Sequence, residues 1–314
     1  QYVMDLKQIR YFVAVAEARS FTLAAEQLHI TQPPLSRQIQ LLEQSLGVTL
    51  IERDSRPLQL TEAGRLFYEQ SVQILQRIDQ MQIATTRIGQ NYQQQISIGF
   101  VASTLYGGLP TLIQNFRKTY PNIRLQFLEL TSAEQLEALK SGRIDIGFGR
   151  IRIHDPSIAR IIYREERLAL AMANTHPLAQ EDDPVCLSAI TNQTLIVYPS
   201  NPRPSFADHV LNALHDKRIE PQDTQEVLSL QTALGLVAAG EGVCVIPTTA
   251  RIRQDIHYRL IDATDISSPI IFSYRKNDSS WYIEAIQELV QDMYDKHPEL
   301  FDPTLKQNPQ EQTS

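Results

Sequence analysis

Apolar residues in the first ninety positions recur at helical spacing, whereas from Ile96 onward short apolar runs alternate with amphipathic stretches. Residues 5–18 put Leu6, Ile9, Phe12, Val13 and Ala16 on one face, which predicts a helix packed against its neighbours. Residues 20–42 predict two more. Ser20 or Thr22 can cap the first, with Leu23, Ala24, Ala25 and Leu28 as its apolar positions. Its alanines are small enough for another helix to cross closely. His29 and Ile30 make the turn. Thr31 then offers an N-cap, with Pro33 and Pro34 at the first helical positions, where a missing amide donor costs little. Leu35, Ile39 and Leu42 point inward, leaving Ser36, Arg37, Gln38 and Gln40 outside.

Gly47 closes that helix, a strand follows over 49–52, and Ser55-Arg56-Pro57 turns the chain back through Leu58 to Leu60. Three helices and a hairpin read as a winged helix-turn-helix. The open face, with Gln32 beside it, carries groups that reach phosphates and base edges, and Arg53 and Arg56 lie on the wing. The alternative is two amphipathic helices in an all-helical core, with Arg56 a solvated turn residue. Thr61 next caps a long helix over 62–91, on which Phe67, Ile74, Leu75, Ile78, Met81 and Ile88 form a stripe. A partner helix from a second subunit would cover it, as would packing within one chain.

After the polar break at 91–95, strands and helices alternate: strand 96–101, helix 106–119, strand 123–129, helix 132–141 and strand 144–149. Near Arg164 the chain is expected to cross into a second unit, with strands at 168–172, 194–198, 225–227 and 243–246 and helices at 206–216 and 230–239. A strand over 270–274 and a helix over 281–294 return to the first unit. The expected divisions are a DNA-binding domain at 4–61, a linker helix at 62–91 and an effector domain at 92–300. Its lobe I takes 92–164 and 269–300, and lobe II takes 165–268. Residues 301–314, rich in Pro and Gln, read as a flexible tail. The fold class is α+β and multidomain, and two α/β lobes leave a cleft for a ligand.

Composition narrows the partners. Residues 1–90 hold nine Lys/Arg and nine Asp/Glu, so the net charge of −7 lies entirely beyond them. Indiscriminate coating of DNA is therefore not expected, and binding rests on local placement of arginines. No apolar run reaches membrane-spanning length, no export signal is evident, and Cys186 and Cys244 lie far apart; a cytoplasmic location and no membrane partner are expected. The seven histidines are scattered, so neither catalysis, a metal nor a cofactor is expected.

Candidate ligand groups follow the strands. Ser103 and Thr104 stand at one helix mouth, Thr131 and Ser132 at another, and Arg150 follows Asp145-Ile146-Gly147-Phe148-Gly149. In the second unit Ser200 to Ser205 form a stiff loop before Phe206. Hydroxyls, amides and an arginine suit a small carboxylate, with Phe148 and Phe206 lining an apolar middle. The alternative is that the hydroxyls only cap helices, and both roles can coexist. Arg164 is either a second anion site or a lobe-crossing ion pair.

The run LKQIRYFVAVAEARSFTLAAEQLHITQPPLSRQIQLLEQSLGVTLIERDSRPLQLTEAG resembles the DNA-binding region of LysR-type transcriptional regulators. That resemblance implies a winged helix-turn-helix, a linker helix that makes a homodimer, a periplasmic-binding-protein-like effector domain, homotetramers and promoter double-stranded DNA as partner. IGFVASTLYGGLP, GRIDIGFGR and VYPSNPRPSFADHV further resemble regulators of benzoate, catechol and chlorocatechol breakdown, for which cis,cis-muconate or a related compound is the usual inducer. The matching positions are Ser103, Ser132, Arg150, Pro204 and Phe206, and Arg164 matches an arginine associated with a secondary benzoate site. Ser132 stands where those members carry Thr, and Ser205 where they carry Asn. An activator of aromatic catabolism is the resulting expectation. Another aromatic or short aliphatic acid as inducer, a non-enzymatic solute-binding protein and an enzyme are the alternatives.

Overall fold

A computed structural model describes residues 4–89, 94–263 and 265–298. Most of the expected polar break, the Ile88 side chain, the end of the linker and the 301–314 tail lie outside the described residues.

The first unit opens with helix α1 (Leu6–Ala18). Asp5 accepts from the Gln8 amide at 2.8 Å, and the Gln8 side chain accepts from the Asp5 amide in return. Helix α2 (Phe21–Gln27) is capped by Ser20, and α3 (Gln32–Leu46) ends at Gly47, whose φ of 71° is left-handed. Thr31 holds the N-cap position without a side-chain bond. Phe12, Val15, Ala24, Ala25, Leu35, Ile39 and Leu42 share one core with Leu50 and Ile51. Leu6 and Leu23, expected inward, are exposed. The seven residues of α2 offer only one face to the core, and Ala24 and Ala25 occupy it.

Strands β1 (Ile51–Glu52) and β2 (Gln59–Leu60) pair antiparallel as the wing hairpin, shorter than expected. Thr61 then donates to the Thr49 carbonyl at 2.8 Å and accepts from the Gly64 amide at 2.9 Å, tying the wing to the start of α4 (Glu62–Gly89). Gly64 permits that approach: a Cβ there would lie 2.0 Å from the Leu50 oxygen. Phe67 packs edge-on to Phe12, with centroids 5.0 Å apart. Farther along α4, Ile74 and Met81 are exposed, as are Leu66 and Ile83.

The second unit comprises two five-stranded sheets. Strands β3 (Gln95–Phe100), β4 (Arg124–Glu129), β5 (Ile146–Gly149) and β6 (Ile158–Glu166) come from the first half of the unit. Between them lie a 3₁₀ turn (Ala102–Tyr106) and helices α5 (Leu109–Thr119) and α6 (Ser132–Lys140). The chain crosses at Arg167 into β7 (Leu168–Ala173), β8 (Thr194–Val197), α7 (Phe206–Asp216) and β9 (Asp223–Glu226). Helix α8 (Leu230–Ala238), β10 (Val243–Pro247) and β11 (Ile256–Leu260) complete lobe II, before β12 (Ser268–Arg275) and α9 (Trp281–Lys296) return to lobe I.

Lobe I has the strand order β4-β3-β5-β12-β6, and lobe II β11-β7-β10-β8-β9. Strand β3 runs parallel to β4 and β5, and β8 parallel to β9 and β10, which puts the C-terminal ends of these strands at one edge of each sheet. Strand β12 pairs antiparallel with both β5 and β6, so the returning chain is locked into lobe I. Each lobe has its own apolar core.

Strands β6 and β11 carry no clean apolar alternation. In β11, Arg259 is buried because its guanidinium donates to the Asp183 and Leu178 carbonyls and to Glu181, which offsets the cost of burying a charge. Arg164, expected at the crossing, lies within β6 opposite Ile270. The expected helix over 106–119 begins instead at Leu109, after the 3₁₀ turn and two glycines.

Candidate functional site

Between the lobes is a cavity of about 360 Å³, lined by both sheets' C-terminal strand ends and the helices that follow. Four helical starts reach it: Ala102 and Ser103 from the 3₁₀ turn, Ser132 from α6, Ser205 and Phe206 from α7, and Ser229 and Leu230 from α8. First-turn amides have no acceptor within their own helix, so convergent helix starts favour an anion between them. Leu130, Ile151, Pro199, Pro204, Leu228 and Pro247 make the rest of the lining largely apolar. A short organic acid fits that combination: carboxylate at a helix start, carbon skeleton against the apolar wall.

Close approach of α6 to β3 and β5 depends on glycine. Buried Gln135 donates to the Leu130 and Phe148 carbonyls at 2.9 and 3.0 Å and lies over Gly147. A Cβ on Gly149 would meet the Ser132 hydroxyl at 2.8 Å. That hydroxyl accepts from the amides of Arg150 at 3.1 Å and Ile151 at 3.3 Å, keeping its own proton to donate. Ser132 thereby braces the strand end and faces the cavity together.

Arg150 is buried and already neutralised. Its guanidinium donates to Ser103 Oγ at 2.7 Å, to Glu166 Oε2 at 2.8 Å and to Ser268 Oγ at 3.2 Å. Glu166, fully buried, also accepts from the Thr249 amide at 2.6 Å and the Thr248 hydroxyl at 3.2 Å. Burial alone would push the Glu166 carboxyl up. The Arg150 charge and the hydrogen bonds from Thr249 and Arg150 outweigh it and hold the group below its ordinary value. The expectation of an arginine free to compensate a ligand's charge is therefore corrected. Arg150 orients the Ser103 hydroxyl, whose proton is left for a ligand.

Several expected site residues separate from one another. Ser103, Thr131, Ser132, Arg150, Pro204 and Phe206 line the cavity. Thr131 is committed to capping α6: its hydroxyl and amide both donate to Glu134, and the hydroxyl accepts from the Glu134 amide. Thr104 and Phe148 do not line the cavity, which corrects their assignment. The Thr104 hydroxyl donates to the Val101 carbonyl, and the Phe148 ring packs on Phe272, 5.3 Å between centroids, because side chains along β5 alternate between faces. Both instead border a separate apolar hollow of about 30 Å³ in lobe I, with Tyr163 and Tyr294. Arg164 borders neither space. Burial raises the Tyr294 phenol to about 12, although the Arg164 charge pulls it down.

Sequence spacing did not single out Tyr198, Ser229, Gln231, Glu129 or Glu134, all of which line the cavity. Glu129 and Glu134 stand on its exposed rim. Gln231 donates to the Tyr106 hydroxyl at 3.0 Å and so bridges the lobes. The strand-then-hydroxyl signal that marked Ser103 and Ser132 is present again at Ser229, before α8. Among the described residues, no group of three His, Cys, Asp or Glu side chains could hold a metal ion, and no helix is long and apolar enough to cross a membrane.

In the first unit, Gln32, Pro33, Pro34 and Arg37 are exposed at the start of α3, with Ser36 half-buried beside them. Gln38 is drawn inward, accepting from the Gln8 side chain at 3.2 Å. Arg56 is exposed on the wing. Arg53 donates to Glu43 at 2.7 Å, and Glu43 also accepts from the Leu50 and Ile51 amides. Arg53 is thus held in the joint between α3 and the wing.

A winged helix-turn-helix and a two-lobed ligand module on one chain define a ligand-responsive DNA-binding protein. Residues 6–65 match the bacterial regulatory helix-turn-helix protein, lysR family, and residues 89–294 match the LysR substrate binding domain. The chain is 54% identical over 300 residues to the probable cat1 operon transcriptional activator of Acinetobacter lwoffii, covering 95% of this chain and 99% of that protein. It is 44% identical over 294 residues to the regulator BenM of Acinetobacter baylyi, covering 93% and 96%. The BenM effector binding domain with its effector benzoate superposes at a TM-score of 0.61 and 38% identity, over 65% of this chain and 94% of that one. Full-length CbnR complexed with its target DNA gives 0.62 at 31% identity, over 92% and 99%. The chain belongs to the LysR family of transcriptional regulators. It is a DNA-binding regulator and not an enzyme.

Proposed function

We propose that the chain activates genes of aromatic-compound degradation and that its effector is cis,cis-muconate or a similar carboxylate. The observation that carries this reading is the convergence of four helical starts on one largely apolar cavity. The relatives support it by name: a cat1 operon activator and a benzoate-bound regulator domain. A carboxylate at Ser103 and Ser132 would meet hydroxyls whose acceptor sides are already used by Arg150 and by two backbone amides. Phe206 and Pro204 would cover its carbon chain. A second anion site at Arg164 remains a separate proposal, outside this cavity.

On DNA, α3 would enter the major groove with Gln32, Ser36 and Arg37, and Arg56 would reach a phosphate or the minor groove. Helix α4 would pair with its copy in a homodimer, two of which make the tetramer. Effector binding shifts the equilibrium between lobe arrangements by its differential affinity for them, and that shift would be passed to the paired DNA-binding domains.

Calorimetric titration of the full chain with cis,cis-muconate, benzoate and short aliphatic dicarboxylates tests the effector. Saturable binding of muconate is expected. A clear signal from a different acid with none from muconate would remove the muconate assignment and leave a regulator responding to that acid.

A further inference from the structure

Tyr198 directly follows β8 and lines the interlobe cavity, yet its hydroxyl has no hydrogen-bond partner. The ring is buried, packed on Phe206 with centroids 5.5 Å apart, so the side chain is fixed at the cavity wall. A buried hydroxyl left unpaired is costly, and the great majority of such groups find a partner in a finished core. The surroundings do not explain it as ordinary packing. The phenol belongs to lobe II but stands within electrostatic reach of Arg150, Glu166 and Tyr106 on lobe I, as well as Cys244. Those first two groups have hydrogen-bond partners of their own, and Tyr106 accepts from Gln231. Tyr198 is thus a cavity-lining residue with a buried hydroxyl that has no partner, while Arg150, Glu166 and Tyr106 near it are hydrogen-bonded.

We propose that Tyr198 is a specificity-determining residue of the effector site, its hydroxyl gaining its hydrogen bond from the bound carboxylate. The inference deepens the effector reading above and rests on it. The hydroxyl is covered by protein atoms. Its bond therefore forms through the adjustment of the lobes that seats the ligand, not by docking against a rigid wall. Such a group couples binding to lobe position, because one lobe arrangement leaves the hydroxyl unpaired and the other satisfies it. It also selects by chemistry: a phenol proton serves a carboxylate oxygen and gives nothing to an apolar analogue of the same length.

The test compares the full-length wild type with Tyr198→Phe, which keeps the ring and removes only the oxygen. Muconate, benzoate and adipate are titrated calorimetrically, and thermal unfolding is followed without ligand. The expected result has two opposed parts. Affinity for the acid that the wild type binds falls about tenfold to a hundredfold, the scale of a hydrogen bond to a charged group. The ligand-free variant unfolds at a higher temperature, because an unpaired buried polar group has gone. A purely structural tyrosine would not give the affinity loss. Unchanged affinity in a folded Tyr198→Phe would overturn this proposal and leave the effector reading standing. Wild-type protein that binds none of the three acids would overturn the carboxylate reading, and this proposal with it.

Discussion

Arg150 and Glu166 face each other in a buried ion pair, 2.8 Å apart, and each is further hydrogen-bonded by serine or threonine. Removing either partner leaves an uncompensated charge out of water, at a cost of about 3–5 kcal/mol. Arg150→Ala and Glu166→Gln are each expected to lower unfolding stability on that scale in urea titrations. Loss of ligand binding in Arg150→Ala alone would then not show direct contact. Because Glu166 is held below its ordinary value in the folded chain, its contribution is complete above the unfolded carboxylate range, about pH 4.3. It is lost as pH falls through the lower folded value. Acid unfolding of Glu166→Gln should therefore have a shallower dependence on pH than that of the wild type. In the first unit Glu43 accepts from the Leu50 and Ile51 amides and from Arg53. Glu43→Ala should cost about 2–4 kcal/mol by leaving these donors unpaired.

At the scale of elements, α3 and the wing divide their arginines by role. Arg37 is exposed, whereas Arg53 is held by Glu43. Arg37→Ala should weaken promoter binding in fluorescence anisotropy by about 1–3 kcal/mol if it reads a base edge. If it meets a phosphate, the salt dependence of binding should fall by about one unit of slope instead. Helix α4 leaves Leu66, Ile74, Met81 and Ile83 exposed on a 28-residue helix. A double change, Ile74→Glu with Met81→Glu, should abolish the proposed homodimer in sedimentation experiments while leaving each chain folded. The helices of the first unit were legible because their apolar positions recur at helical spacing and residues such as Ser20, Gly47 and Thr61 mark several of their ends. So were α7, preceded by the Ser200–Ser205 loop, and α8, whose apolar residues recur along its length. Strands β6 and β11 were not, since Arg160, Arg164 and Arg259 interrupt their apolar pattern. Charge within a strand is tolerated where backbone carbonyls or a carboxylate receive it, and those acceptors come from distant parts of the chain.

Across the whole effector unit, two parallel-strand edges meet, and the cavity follows from that topology: each strand end delivers a helix start. Spacing in the sequence could therefore reveal Ser103 and Ser132, which follow closely after strands β3 and β4. It could not separate Phe148, which faces the lobe I core, from Arg150, which reaches the cleft, because the strand's end and the crossing at Arg167 decide which side chains turn toward lobe II. Nor could it show that Glu166 neutralises Arg150, since that partner lies on another strand. Under the proposed function the ligand module is an anion site built from helix starts and oriented hydroxyls, with its arginine as a positioning group. The most direct measurement is a calorimetric titration of full-length protein with cis,cis-muconate, wild type beside Ala102→Trp, which sets an indole where a cavity-lining methyl stands. Saturation at one ligand per chain in the wild type, with binding lost in folded Ala102→Trp, is the predicted result. Equal affinity in both proteins would contradict the account by placing the ligand outside the interlobe cavity.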